Sequence, residues 1–102
     1  KMRMELRSPD SAMNPYIAFA LVLAAGLEGM ENKTPLPAPT ELNLYTEESA
    51  HLPELPRSLD TALECAEQSA FVKNVLGEEL LTRYIRHKRA KETRSIDYFE
   101  LI

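Results

Sequence analysis

At 102 residues the chain is one domain at most, and 44% hydrophobic with 27% charged residues is globular composition, which excludes a disordered tail. A net charge of −4 and a pI near 5.2 exclude a general attraction to nucleic acid or to an anionic membrane. Cys65 is the single cysteine, which excludes an internal disulfide framework and suits a reducing cytosol.

Residues 1–7 alternate strictly, with Met2, Met4 and Leu6 on one side and Arg3, Glu5 and Arg7 on the other. That period of two predicts a strand. No charged segment precedes a hydrophobic signal core, so no secretion signal is expected. Pro9 lacks a backbone donor and biases Ser8 away from helix, so the strand ends there. The turn "SPDSAMNP" then leads to Asn14, a good N-cap, and to Pro15 at the first helical position. The helix that follows, residues 15–30, has no polar face until Glu28. A helix apolar all round is expected to be buried all round. Its apolar run Tyr16–Ala25 is short of a membrane span, which needs about 20 residues.

Residues 32–57 hold Pro35, Pro37, Pro39, Pro53 and Pro56, five of the seven prolines. Spacing this close predicts an extended, surface-running loop. Ser58 then reads as an N-cap, with Leu59, Ala62, Leu63 and Ala66 forming one apolar stripe. Gly77 ends that helix or its extension through Phe71–Leu76. A second amphipathic helix begins near Glu78 and turns Leu80, Leu81, Tyr84 and Ile85 inward. Its acidic start (Glu78, Glu79) and basic end (Arg86, Lys88, Arg89, Lys91) complement a helix dipole. The tail "SIDYFELI" reads as a short strand or an apolar plug.

The expected class is therefore mainly α: one N-terminal strand, a buried apolar helix, a Pro-rich loop and two amphipathic helices. A lone strand cannot satisfy its own backbone, and little remains to cover the apolar helix. Residues 1–102 thus read as a single partial domain.

Among the polar residues, His51 and His87 have no ligand-type neighbours at metal spacing and are expected in solvent. Cys65 sits one step from the apolar stripe and is expected to be a partly buried thiol rather than a nucleophile. The basic run Arg83–Arg94, in an acidic chain, reads as a solvated helix face. Residue type alone gives Arg3, Glu5 and Arg7 the same reading, the wet face of an edge strand.

The segment "RMELRSPDSAMNPYIAFALVLAAGLEGM" changes that reading. It resembles the C-terminal part of the glutamine synthetase catalytic domain: Arg-x-Glu-x-Arg, a Pro-Asp turn, then Asn-Pro-Tyr opening an apolar helix that ends Ala-Gly-Leu-x-Gly. Here those positions are Arg3, Glu5, Arg7, Pro9, Asp10, Asn14, Pro15, Tyr16, Ala25, Gly26, Leu27 and Gly29. "NLY" at Asn43–Tyr45 and "LPRSLDTAL" at Leu55–Leu63 match in order and spacing.

The resemblance implies a fragment of an α+β catalytic domain that lines an active-site channel. It assigns Glu5 as a ligand of Mg²⁺ or Mn²⁺ and Arg3 to the phosphate of ATP. Arg7 receives the substrate glutamate, as binding and catalytic residue. Tyr45 aligns with a tyrosine that some bacterial members adenylylate; the plainer expectation is a loop tyrosine packed on a neighbour. The implied partners are the remainder of the catalytic domain, glutamate, ammonia and ATP, within a cytoplasmic homo-oligomer without nucleic acid or membrane. The fragment alone is expected to be inactive. Two alternatives stand beside it: ligation of glutamate to another amine such as a polyamine, and a non-catalytic helical interaction module.

Overall fold

In the computed structural model the element order is α1 (Pro15–Asn32), α2 (Leu59–Gln68), α3 (Ala70–Leu76) and α4 (Glu78–Leu101). The structure describes residues 2–46 and 52–101, with side chains as far as residue 90.

Local chemistry sets each boundary. Asn14 is extended (φ −78°, ψ 113°) and its Oδ1 accepts from the N–H groups of Tyr16 and Ile17 at 2.9 and 3.3 Å, with Pro15 at the first helical position. The helix runs two residues beyond Met30 and closes on Lys33 in the left-handed region (φ 50°). There the Thr34 N–H reaches the Gly29 carbonyl at 3.0 Å, satisfying an end carbonyl. Ser58 Oγ accepts from the Thr61 N–H at 3.1 Å and starts α2.

The first of the two expected amphipathic helices is in fact two. Ser69 takes an extended conformation that ends α2, and its Oγ accepts from the Val72 N–H at 3.2 Å to start α3. A serine side chain offers the backbone this alternative to a continuous ladder. Gly77 ends α3 at φ 82°, ψ 150°, a conformation open in practice only to glycine.

The core lies among α2, α3 and α4. Leu63, Leu81 and Ile85 are buried, and Ala66, Val72, Leu76 and Tyr84 pack against them. The ends of both expected stripes are wetter than their middles: Leu59 and Leu80 are exposed. Arg89 ties α4 to α2 from outside, 3.6 Å from Asp60 and 3.7 Å from Glu67. So few buried side chains leave little redundancy. Leu81→Ala is expected to remove about 2–5 kcal/mol, which for a chain of this size lowers the thermal midpoint by at least about 10 °C. Helical ellipticity followed against temperature measures this, and a midpoint within a few degrees of the parent places the core elsewhere.

Four sequence expectations are corrected. Residues 2–7 form no strand, because among the described residues no other segment pairs with them. The apolar helix α1 forms but has no buried residue, because among the described residues α3 is the sole helix packed against it. The tail is helical through Leu101, neither strand nor plug. In consequence the basic run Arg86–Lys91 lies mid-helix, and the last turn of α4 carries no cation to meet the dipole. The loop expectation holds for the described residues 34–46 and 52–57, which form no helix or strand.

Candidate functional site

Residues 2–7 form no regular element and are solvent-facing. Their alternation puts Arg3, Glu5 and Arg7 on one side wherever the segment is drawn out as a strand, and Arg3 Nη2 stands 3.4 Å from Glu5 Oε1. Both side chains are well exposed, so this ion pair contributes at most about 1 kcal/mol and yields readily to a ligand. Arg7 is exposed, and among the described residues no carboxylate pairs with it. The face thus presents cation, carboxylate, cation in sequence. Planar guanidinium forks suit phosphate or carboxylate.

The segment is continued by a closed turn. Asp10 Oδ1 accepts from the Ala12 N–H at 3.4 Å and from Ser11 Oγ at 3.3 Å, and the Met13 N–H donates to the Asp10 carbonyl at 3.1 Å. This turn faces one cleft and makes one contact with the helices. Ser8 and Asp10 border a cleft of about 390 Å³ whose other wall is Leu55–Leu59 and Ala62. Lys88 Nζ, on α4, donates to the Ala12 carbonyl at 3.4 Å and lies 5.6 Å from the centroid of the Tyr84 ring. Burial pushes the Tyr84 phenol above its ordinary range, in keeping with the ring's place on the core. Sequence reasoning counted Lys88 only as one cation of a basic run. Its i, i+4 spacing from Tyr84 was the available signal.

Among the described residues no three of His, Cys, Asp and Glu converge on a metal position. Glu5 offers a single carboxylate, a hard oxygen ligand. That suits Mg²⁺ or Mn²⁺ as one ligand of several, since Mg²⁺ commonly takes one or two carboxylates beside substrate phosphates.

Tyr45 is fully exposed in an Asn43-centred turn, where Asn43 Oδ1 accepts from the Tyr45 N–H at 3.1 Å and the Asn43 carbonyl from the Thr46 N–H at 3.1 Å. The expectation of a packed loop tyrosine is therefore corrected. Cys65 is exposed rather than partly buried, since it lies beside the α2 stripe and not on it. His87 is in solvent as expected, and His51 lies outside the described residues. The basic face of α4 carries acidic partners, Glu79 to Arg83 at 2.9 Å and Asp60 and Glu67 to Arg89. Among the described residues no helix is long and apolar enough to cross a membrane.

Comparison with known proteins places these residues in a wider frame. The family described as glutamine synthetase, catalytic domain, matches residues 1–99. A glutamine synthetase of Staphylococcus epidermidis is 40% identical over 91 residues, covering 84% of this chain and 20% of that protein. That of Methanosarcina mazei is 43% identical over 88 residues, covering 81% and 20%. That of Mycobacterium tuberculosis is 45% identical over 94 residues, covering 87% and 21%. No solved structure gives a significant match. The chain spans about one fifth of the length of these relatives. It belongs to the glutamine synthetase family, as a C-terminal part of the catalytic domain.

Proposed function

We propose that residues 1–102 are the C-terminal portion of a catalytic domain that makes an amide from glutamate and ammonia at the expense of ATP. The γ-carboxylate of glutamate attacks the γ-phosphorus of ATP, giving γ-glutamyl phosphate and ADP. Ammonia then displaces phosphate, losing a proton. The observation that carries the reading is the Arg3–Glu5–Arg7 face inside a family match that runs through residues 1–99.

Each residue type suits its task. Arg3 holds a phosphate oxygen of the nucleotide, Arg7 holds the glutamate and steadies charge on the group being transferred, and Glu5 supplies one metal ligand. When bound, Mg²⁺ or Mn²⁺ neutralises phosphate charge. Phosphoryl transfer asks mainly for such positioning and neutralisation. In the complete domain residues 2–7 become a paired strand, which fixes the alternation that extended chain alone leaves loose. The exposed phenol of Tyr45 is the candidate for regulatory adenylylation. Assembly as a cytoplasmic homo-oligomer belongs to the same reading.

The surface supports a role within something larger. The chain exposes 9468 Å², whereas a compact monomer of 11.6 kDa exposes about 5,800 Å². Its faces are built to be covered.

Joined to the remainder of a catalytic domain, these residues are expected to support phosphate release from ATP only when glutamate and ammonia are both present. The 102-residue chain alone is expected to show no turnover and no saturable MgATP binding at micromolar concentration by calorimetry, because the site needs more than Arg3 and Glu5 and its other residues belong to the remainder of the domain. A requirement for a polyamine in place of ammonia would transfer the reading to a different γ-glutamyl ligase. Micromolar MgATP binding by the chain alone would overturn the division of the site.

A further inference from the structure

We propose that Lys88 is a positioning residue, which holds the turn at residues 10–13 and thereby sets where the preceding segment delivers Arg7. The inference rests on the functional reading above for its consequence, and on geometry for its mechanism. Lys88 Nζ reaches the Ala12 carbonyl at 3.4 Å, and this is the one contact in the structure that fastens the turn to α4 by a hydrogen bond among the described residues.

Lys88 is itself held. It stands one helical turn beyond Tyr84 with its ammonium over that ring, and three residues beyond the buried Ile85. Contact with the ring restricts a side chain that is otherwise free to wander. Force on the turn is therefore referred to the core.

The turn transmits that reference with little slack. Asp10 closes it through three short-range hydrogen bonds, two at Oδ1 and one at its carbonyl. Pro9 fixes one backbone dihedral between the turn and Arg7. Leu55–Leu59 and Ala62 face Ser8 and Asp10 across the cleft, so the tether to α4 is the contact that fixes the turn. An exposed lysine contact adds little to global stability. Its effect falls on placement instead, on whether the Arg7 fork stands where it can meet the glutamate carboxylate.

Lys88→Gln and Lys88→Arg test this. In the 102-residue chain, Lys88→Gln is expected to raise hydrogen exchange at the Met13 amide by about fivefold while the Leu81 and Ile85 amides keep their protection. In the complete catalytic domain it is expected to raise KM for glutamate by about tenfold, with kcat and the thermal midpoint nearly unchanged. Lys88→Arg, which can still stack and donate, is expected to restore both. Unchanged Met13 exchange in Lys88→Gln overturns the proposal, as does faster exchange with unaltered KM, or an arginine variant that behaves like glutamine. A parent domain without glutamate-dependent activity defeats the functional reading instead; the exchange measurement then still decides whether Lys88 holds the turn.

Discussion

Glu5→Ala in the complete catalytic domain is expected to lower kcat/KM by about 10²-fold or more and to raise the divalent cation concentration needed for half-maximal rate, while Arg7→Ala chiefly raises KM for glutamate. The two residues share one face of one short segment, yet their chemistries separate. Glu5 offers oxygen to a cation, so its removal is answered in part by more metal. Arg7 offers a fork of N–H donors to a carboxylate, and a hydrogen bond to a charged group is worth about 1.5–3 kcal/mol. That range converts to a KM change of roughly 10- to 150-fold at 1.4 kcal/mol per decade. Titration of each variant with Mg²⁺ and with glutamate checks both. Equal losses, indifferent to metal, would mean that the face is structural and that neither role belongs to it.

The elements readable from sequence were those whose causes are local. Asn14, Pro15, Ser58 and Gly77 act within a turn of themselves, and each stands at the helix boundary that its chemistry indicated. Leu63, Leu81 and Ile85 were legible because helical spacing puts them on facing stripes. Ser69 was also local, but a serine between apolar residues gives no signal strong enough to separate a cap from a helix interior. What was not legible depends on partners. The alternation of Met2 to Arg7 states a preference for pairing without supplying a neighbour, and among the described residues the segment stays unpaired. The apolar circumference of α1 states a demand for cover that α3 meets on one side only. The site follows the same division. The family resemblance marked Arg3, Glu5 and Arg7, which residue type alone left as a solvated face, whereas Lys88 emerged only once α4 and the Asp10 turn were placed side by side.

The unmet demand of α1 leads to the other large effect, self-association of a polypeptide of these 102 residues. Tyr16, Phe19, Leu23, Leu27 and Met30 follow one another at spacings of three, four, four and three, and each is between 58% and 84% exposed. Those spacings make one continuous helical face. Each side chain leaves on the order of 100 Å² bare, so pairing two copies buries about 1,000 Å², the threshold for a specific interface. At about 25 cal/mol per Å² the gross gain is about 25 kcal/mol, against roughly 4–15 kcal/mol for lost translation and rotation and a further loss for ordered side chains. A two-fold arrangement suits a face that must complement itself. In the complete domain the same face is expected to be covered by the rest of the protein, and in the separate polypeptide only another copy is at hand. Sedimentation equilibrium at about 20 µM is therefore expected to give at least twice the 11.6 kDa of one chain. Leu23→Lys places a charge at the centre of the face and outside the cluster of Leu63, Leu81 and Ile85, so it is expected to return the monomer with its helical ellipticity intact. A parent chain that sediments as a monomer, or a lysine variant that still pairs, would move the association surface away from α1.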